Sequence, residues 1–179
     1  MSDSSVLSET PKKGPLHWLD RLSGGVGLIS GYVAVIMTLV MLAVLTLQVV
    51  TRYFFGVALS WSEELALLLF TWVVLLTGSL GVREGFHVRL TLLQDALPAT
   101  AALWVGRLID AAILVFGIML AIAGNSYVTE TIGQTSAAIA YPIEALHLAA
   151  PVCGALIALH AFTRILIPIP PRAPVPEIT

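Results

Sequence analysis

An all-α integral membrane protein, with four transmembrane helices and a short cytoplasmic interfacial helix, is the fold class this sequence predicts. Three observations carry it. Apolar residues make up 58% of the 179 residues, before the 14 glycines are added, and charged residues only 11%. A soluble domain carries about 25% charged residues, so this chain cannot cover a water-facing surface. Its mean hydropathy of +0.93 agrees. The charges are missing from four long windows, and Lys and Arg gather on one side of those windows. An ordinary soluble enzyme, a disordered chain and a coiled coil are thereby excluded.

Residues 1–22 are polar and are expected to form a cytoplasmic N-terminal segment. Ser23 to Thr51 then runs for 29 residues without Asp, Glu, Lys or Arg. As a helix it is about 44 Å long, against a hydrocarbon core of about 30 Å, so the first span, about 24–51, should tilt or project. A signal peptide would have an apolar region of only about 7–15 residues with a small-residue cleavage site. Gln48-Val49-Val50-Thr51-Arg52 is no such site, and a retained anchor is expected. Leu65–Val82, bounded by Glu63-Glu64 and Arg83, predicts a second span over 62–82. Ala111–Thr129, bounded by Asp110 and Glu130, predicts a third over 104–128. Ala145–Thr163, bounded by Glu144 and Arg164, predicts a fourth over 143–166, with Pro151 inside it. Residues 23–167 thus make one four-helix membrane domain. Residues 168–179 carry five prolines and should form an extended cytoplasmic tail.

Orientation follows from the Lys and Arg count. With the N-terminus inside, Lys12, Lys13, Arg21, Arg83, Arg89, Arg107, Arg164 and Arg172 are cytoplasmic and only Arg52 lies outside. Both termini are then cytoplasmic. Between spans two and three, Val88, Leu92, Leu93, Ala96 and Leu97 recur near helical spacing. That pattern predicts a short amphipathic helix at the inner interface, over about 86–97.

Few polar residues need a role. Ser60-x-x-Glu63 has the spacing of a capping box at the start of helix two. Glu64 is one residue on and needs another partner: Arg52, or a cation of a partner protein. Tyr53, Phe54, Phe55 and Trp61 suit an interfacial aromatic belt. Arg107 and Asp110, at i and i+3, can pair on one face of helix three. Ser23/Gly27/Gly31, Ala150/Gly154/Ala158 and Gly117/Ala121 are small residues at helical spacing. They permit close helix approach, within the bundle or onto another membrane protein. Arg52, Trp61, Glu63, Glu64, His87, Arg89, Arg107 and Asp110 are the candidate partner contacts.

Catalysis has no visible machinery. The sequence shows no Ser-His-Asp set, HExxH or glycine-rich phosphate loop, and no carboxylate at mid-span. No cofactor, catalytic residue or metal ligand is assigned. One cysteine, Cys153, closes no intrachain disulfide. The net charge of −2 offers nothing to nucleic acid, and the chain's surroundings are lipid. His87 and His160 both lie toward the inside, which keeps a small four-helix cytochrome or quinone-site subunit as the alternative reading.

Three segments together resemble the small membrane subunit of tripartite ATP-independent periplasmic (TRAP) transporters, the DctQ type. They are Arg52-Tyr53-Phe54-Phe55-Gly56 with Trp61-Ser62-Glu63-Glu64-Leu65; Arg83-Glu84-Gly85-Phe86-His87-Val88-Arg89; and Ser136 and Pro142 followed by Pro151-Val152-Cys153-Gly154. The resemblance runs from about Gly24 to Ile165. Thr91 and Glu144 depart from the family's usual acidic and apolar residues. The resemblance implies a non-catalytic subunit in a bacterial inner membrane that scaffolds a large membrane subunit. The large subunit would carry Na⁺-coupled uptake of an organic acid delivered by an extracytoplasmic solute-binding protein.

Overall fold

A computed structural model describes residues 17–85 and 99–167. The expected interfacial helix, with His87 and Arg89, lies outside the described residues, as do residues 1–16 and the proline-rich tail. The described chain forms α1 (His17–Phe55), α2 (Ser60–Glu84), α3 (Ala99–Glu130), α4 (Glu144–His147) and α5 (Ala149–Leu166). Four helices are long and apolar enough to cross a membrane, the last made of α4 and α5 together.

The helices outrun their charge-free windows. α1 has 39 residues and takes in Asp20, Arg21 and Arg52. Charges mark where the hydrocarbon ends. Backbone hydrogen bonding does not stop there, because adding a turn to an existing helix is easy. α1 is therefore about 58 Å long, well beyond the bilayer core.

α1 and α2 form an antiparallel hairpin closed by a four-residue turn. Gly56 takes φ +67° there, and Val57 N–H donates to the Thr51 carbonyl. The less exposed positions of α1 include a stripe of Ser23, Gly27, Ser30, Ala34, Met37, Met41, Val44, Gln48 and Thr51. Steps of four and three alternate along this stripe, the spacing that keeps two helices in register over many turns. α5 packs against α2, and α3 packs on α5 most extensively of all.

The α3–α5 seam is glycine-made. A Cβ on Gly117 would lie 2.8 Å from the Ala158 nitrogen and 3.0 Å from the Gly154 oxygen. One on Gly124 would meet the Pro151 ring at 2.7 Å. All three small-residue stripes therefore serve this chain's own packing: Gly27 receives the Arg83 stem, and Gly31 lies nearest Leu80. None is an open face for a partner.

Pro151 explains the break between α4 and α5. It has no N–H to give the His147 carbonyl, yet Leu148 keeps helical dihedrals, φ −57° and ψ −22°, so the span continues. Leu69, Leu76, Val82 and Ile157 are buried, but His160, Cys153, Ser62 and Ser79 are the largest fully enclosed side chains. Leu, Ile, Val and Phe side chains cover the outside. An outside of large apolar side chains suits lipid.

Candidate functional sites at the two ends of the bundle

One end of the bundle carries the α1–α2 turn and the loop between α3 and α4; the other carries the ends of α2 and α5. At the first end, the expected capping box does not form. Leu59, not Ser60, is the N-cap of α2, with φ −98° and ψ 93° and no side-chain cap. Ser60 is already helical, so the Ser60/Glu63 pair is one residue out of register. Glu63 instead accepts from Gln48 Nε2 at 3.0 Å, across the hairpin.

Among the described residues Glu64 makes no ion pair with Arg52. Its carboxylate accepts the backbone N–H groups of Ala138 at 2.8 Å and Ile139 at 3.0 Å, with the Ser136 side chain also bonded to it. The loop it holds is a small hairpin. Thr135 bridges Pro142 antiparallel, Ser136 N–H donates to Tyr141 O, and Ile143 N–H to Gln134 O. Ala140 turns the tip at φ +58°. Glu144, the departure from family pattern, accepts from Gly133 N–H at 2.7 Å and fixes the loop's base. Burial first, and the nearby Glu64 carboxylate second, raise the Tyr141 phenol above its ordinary pKa. His147 closes this end: its Nδ1 is 2.9 Å from the Thr131 hydroxyl, and its ring lies 4.2 Å from that of Tyr127. Arg52 and Trp61 are exposed.

At the second end, Asp110 does not pair with Arg107. It faces Arg164, Nε to Oδ1 3.0 Å, with each side chain 13% exposed. Arg164 Nη1 also donates to the Val82 carbonyl at 2.9 Å. Three helices, α2, α3 and α5, meet on this one guanidinium. Gly85 caps α2 in the left-handed region, and a Cβ there would strike Arg164 Nη1 at 2.7 Å. Arg107 stays exposed on α3. Local i, i+3 reasoning missed this because Arg164 reaches Asp110 only through the α3–α5 seam.

His160 makes another joint between helices. It is fully buried and its Nδ1 lies 2.8 Å from the Ser23 hydroxyl, tying α5 to α1. The Arg83 guanidinium rests beside it along Gly24 and Gly27. The one visible signal was Ser23 on the small-residue stripe. A ring enclosed on all sides among packed helices is a poor fit to haem ligation.

Several polar groups inside the spans thus serve helix-to-helix joints, including Trp72 Nε1 to Ala145 O at 2.9 Å and Cys153 Sγ to Leu75 O at 2.8 Å, while the Thr38, Thr71, Ser79 and Thr163 hydroxyls bond carbonyls of their own helices. The model of the DctQ component of tripartite ATP-independent periplasmic transporters matches residues 41–169. The chain belongs to the DctQ family. Its resemblance segments one and three meet physically, since Glu64 holds the loop that contains Ser136 and Pro142. Two curated relatives come from Vibrio cholerae serotype O1. The sialic acid TRAP transporter small permease protein SiaQ is 39% identical over 42% of this chain and 43% of its own. The C4-dicarboxylate TRAP transporter small permease protein DctQ is 31% identical over 45% of this chain and 34% of its own. Each match covers less than half of the relative. The DctQ assignment favours a transporter subunit over the cytochrome reading.

Proposed function

We propose that this DctQ-family chain is the non-catalytic small subunit of a TRAP transporter. It scaffolds a large membrane subunit for Na⁺-coupled, binding-protein-dependent uptake of an organic acid. The observation that carries the reading is that six buried or half-buried polar groups tie its helices together. Ser23, His160, Asp110, Arg164, Trp72 and Cys153 bond to other helices of the same chain, which builds a rigid body rather than a substrate path. A carrier would keep such groups free at the midplane. SiaQ and DctQ carry the names of two organic acid systems, which supports the substrate class. Arg52, Trp61, Glu63 and Arg107 are exposed and are available to the large subunit.

Reconstituted alone, the chain should move no organic acid into vesicles. Uptake should require the large subunit, a Na⁺ gradient and the binding protein together. Transport by this chain alone would end the reading.

The Lys and Arg bias supports cytoplasmic termini and an outside loop from Thr129 to Glu144. In a Cys153→Ser background, a membrane-impermeant thiol reagent should label Gln134→Cys in intact cells and leave Gln94→Cys untouched. The reverse pattern would overturn the orientation.

A further inference from the structure

Among the described residues, two cations are half-buried, Arg83 and Arg164. Arg164 is engaged by Asp110 and the Val82 carbonyl. Arg83, in the last turn of α2, has neither an ion pair nor a hydrogen bond among the described residues. Its placement is specific all the same. Stem and guanidinium lie along α1: a Cβ on Gly27 would stand 2.9 Å from Arg83 Cδ and Nη1, and one on Gly24 3.3 Å from Nη2. Two glycines thus form its cradle. The polar groups nearby are already used. Ser23 and His160 bond to each other, and the Gly85 N–H returns to the Gly81 and Val82 carbonyls, so Arg83 is not needed to cap α2. Asp20 and Glu84, the acids next to the cradle in sequence, are exposed and form no ion pair with it among the described residues. The Arg83 nitrogens, unlike His160 Nε2, stay open to the surroundings.

We infer that the Arg83 guanidinium on its Gly24–Gly27 cradle is a binding site for the phosphate of an anionic phospholipid. Depth decides the ligand. The charge-free window begins at Ser23, so the cradle lies within about 6 Å of its edge, at the level of the headgroups. There a guanidinium with open donors faces lipid phosphate, and its planar fork takes two phosphate oxygens at once. Arg21, exposed one turn before Gly24, adds a second cation. Basic notches between the ends of membrane helices recognise headgroups in this way. Trp18, Leu22 and Leu28, all exposed within two turns on α1, offer apolar surface to the acyl chains. Because the cradle already holds Arg83 in place, little side-chain freedom is lost on binding.

The test is a titration of the full chain in neutral detergent with phosphatidylglycerol, bound lipid being counted by native mass spectrometry. The first phosphatidylglycerol should bind more tightly than phosphatidylcholine and should raise the melting temperature, since a ligand of the folded state stabilises it. Arg83→Gln should weaken that first binding about tenfold, the loss of one charge-assisted contact. Arg83→Lys, which keeps the charge without the fork, should fall between. Gly27→Ala keeps the arginine but pushes it off α1, and should weaken binding as well; it carries the test if Arg83→Gln does not fold. Arg107→Gln, which removes an exposed cation of α3, should leave the first binding unchanged. Unaltered affinity in both Arg83→Gln and Gly27→Ala overturns the proposal. An equal loss in Arg107→Gln also overturns it, because the lipid would then answer to net charge alone. Displacement of the lipid by millimolar inorganic phosphate would assign the notch to a free anion and refute the lipid site.

Discussion

Gly154→Ala is expected to unfold or separate the α3–α5 pair, although it adds a single methyl group. A Cβ at Gly154 would overlap the Ala121 nitrogen and the Gly117 oxygen, both backbone atoms that no rotamer change can move aside. The helices would have to part along the most extensive contact in the molecule. Overpacking costs about 1–3 kcal/mol where side chains can shift, and a clash with backbone belongs at or above the top of that range. Gly106→Ala supplies the opposite expectation. Nothing lies within 4 Å of its Cβ position, and replacing a mid-helix glycine gains about 0.5–1 kcal/mol. Melting of the full chain in detergent should therefore fall for Gly154→Ala and hold or rise for Gly106→Ala. Equal melting temperatures would mean that the seam is not held by backbone contact.

Arg164→Leu is the second large effect. It strands the Asp110 carboxylate between α3 and α5 and leaves the Val82 carbonyl at the end of α2 without its extra donor. Removing one member of a fully buried pair costs about 3–5 kcal/mol, because the remaining charge is left uncompensated, and this partly exposed pair belongs at or below the low end of that range. The double variant Asp110→Leu/Arg164→Leu should recover much of that loss, since no charge is then buried alone. Reversal, Asp110→Arg/Arg164→Asp, should not recover it, because an Asp at 164 has no donor for Val82. Asp110→Asn in an Arg107→Gln background separates this arrangement from the local one. If Arg107 were the true partner, Arg107→Gln alone would be as costly as Arg164→Leu. A double-mutant cycle showing no coupling between Asp110 and Arg164 would refute the ion pair.

How far the sequence reached can be judged residue by residue. The four spans were legible because a charge in hydrocarbon is expensive, which leaves Asp, Glu, Lys and Arg at the edges of each window. Helix ends were less legible: α1 continues through Asp20 and Arg21 because hydrogen bonding, unlike burial, does not require an apolar side chain. The small-residue stripes announced close packing but not against what, since glycine spacing looks the same on either side of an interface. Family segments one and three were legible as pieces, while the Glu64 bridge that joins them was not.

The sequence by itself determined an all-helical membrane chain, its four spans, its DctQ resemblance and the positions where backbones could approach. These depend on composition and on spacing along one helix, and both are local. Tertiary structure alone decided the partners: Glu64 with the Ala138–Ile139 amides, Asp110 with Arg164, His160 with Ser23, Glu63 with Gln48. Each pair except the last is separated by more than fifty residues. A buried polar group takes whichever partner the packing brings within about 3 Å, because an unmet hydrogen bond in an apolar medium costs more than any local preference can return.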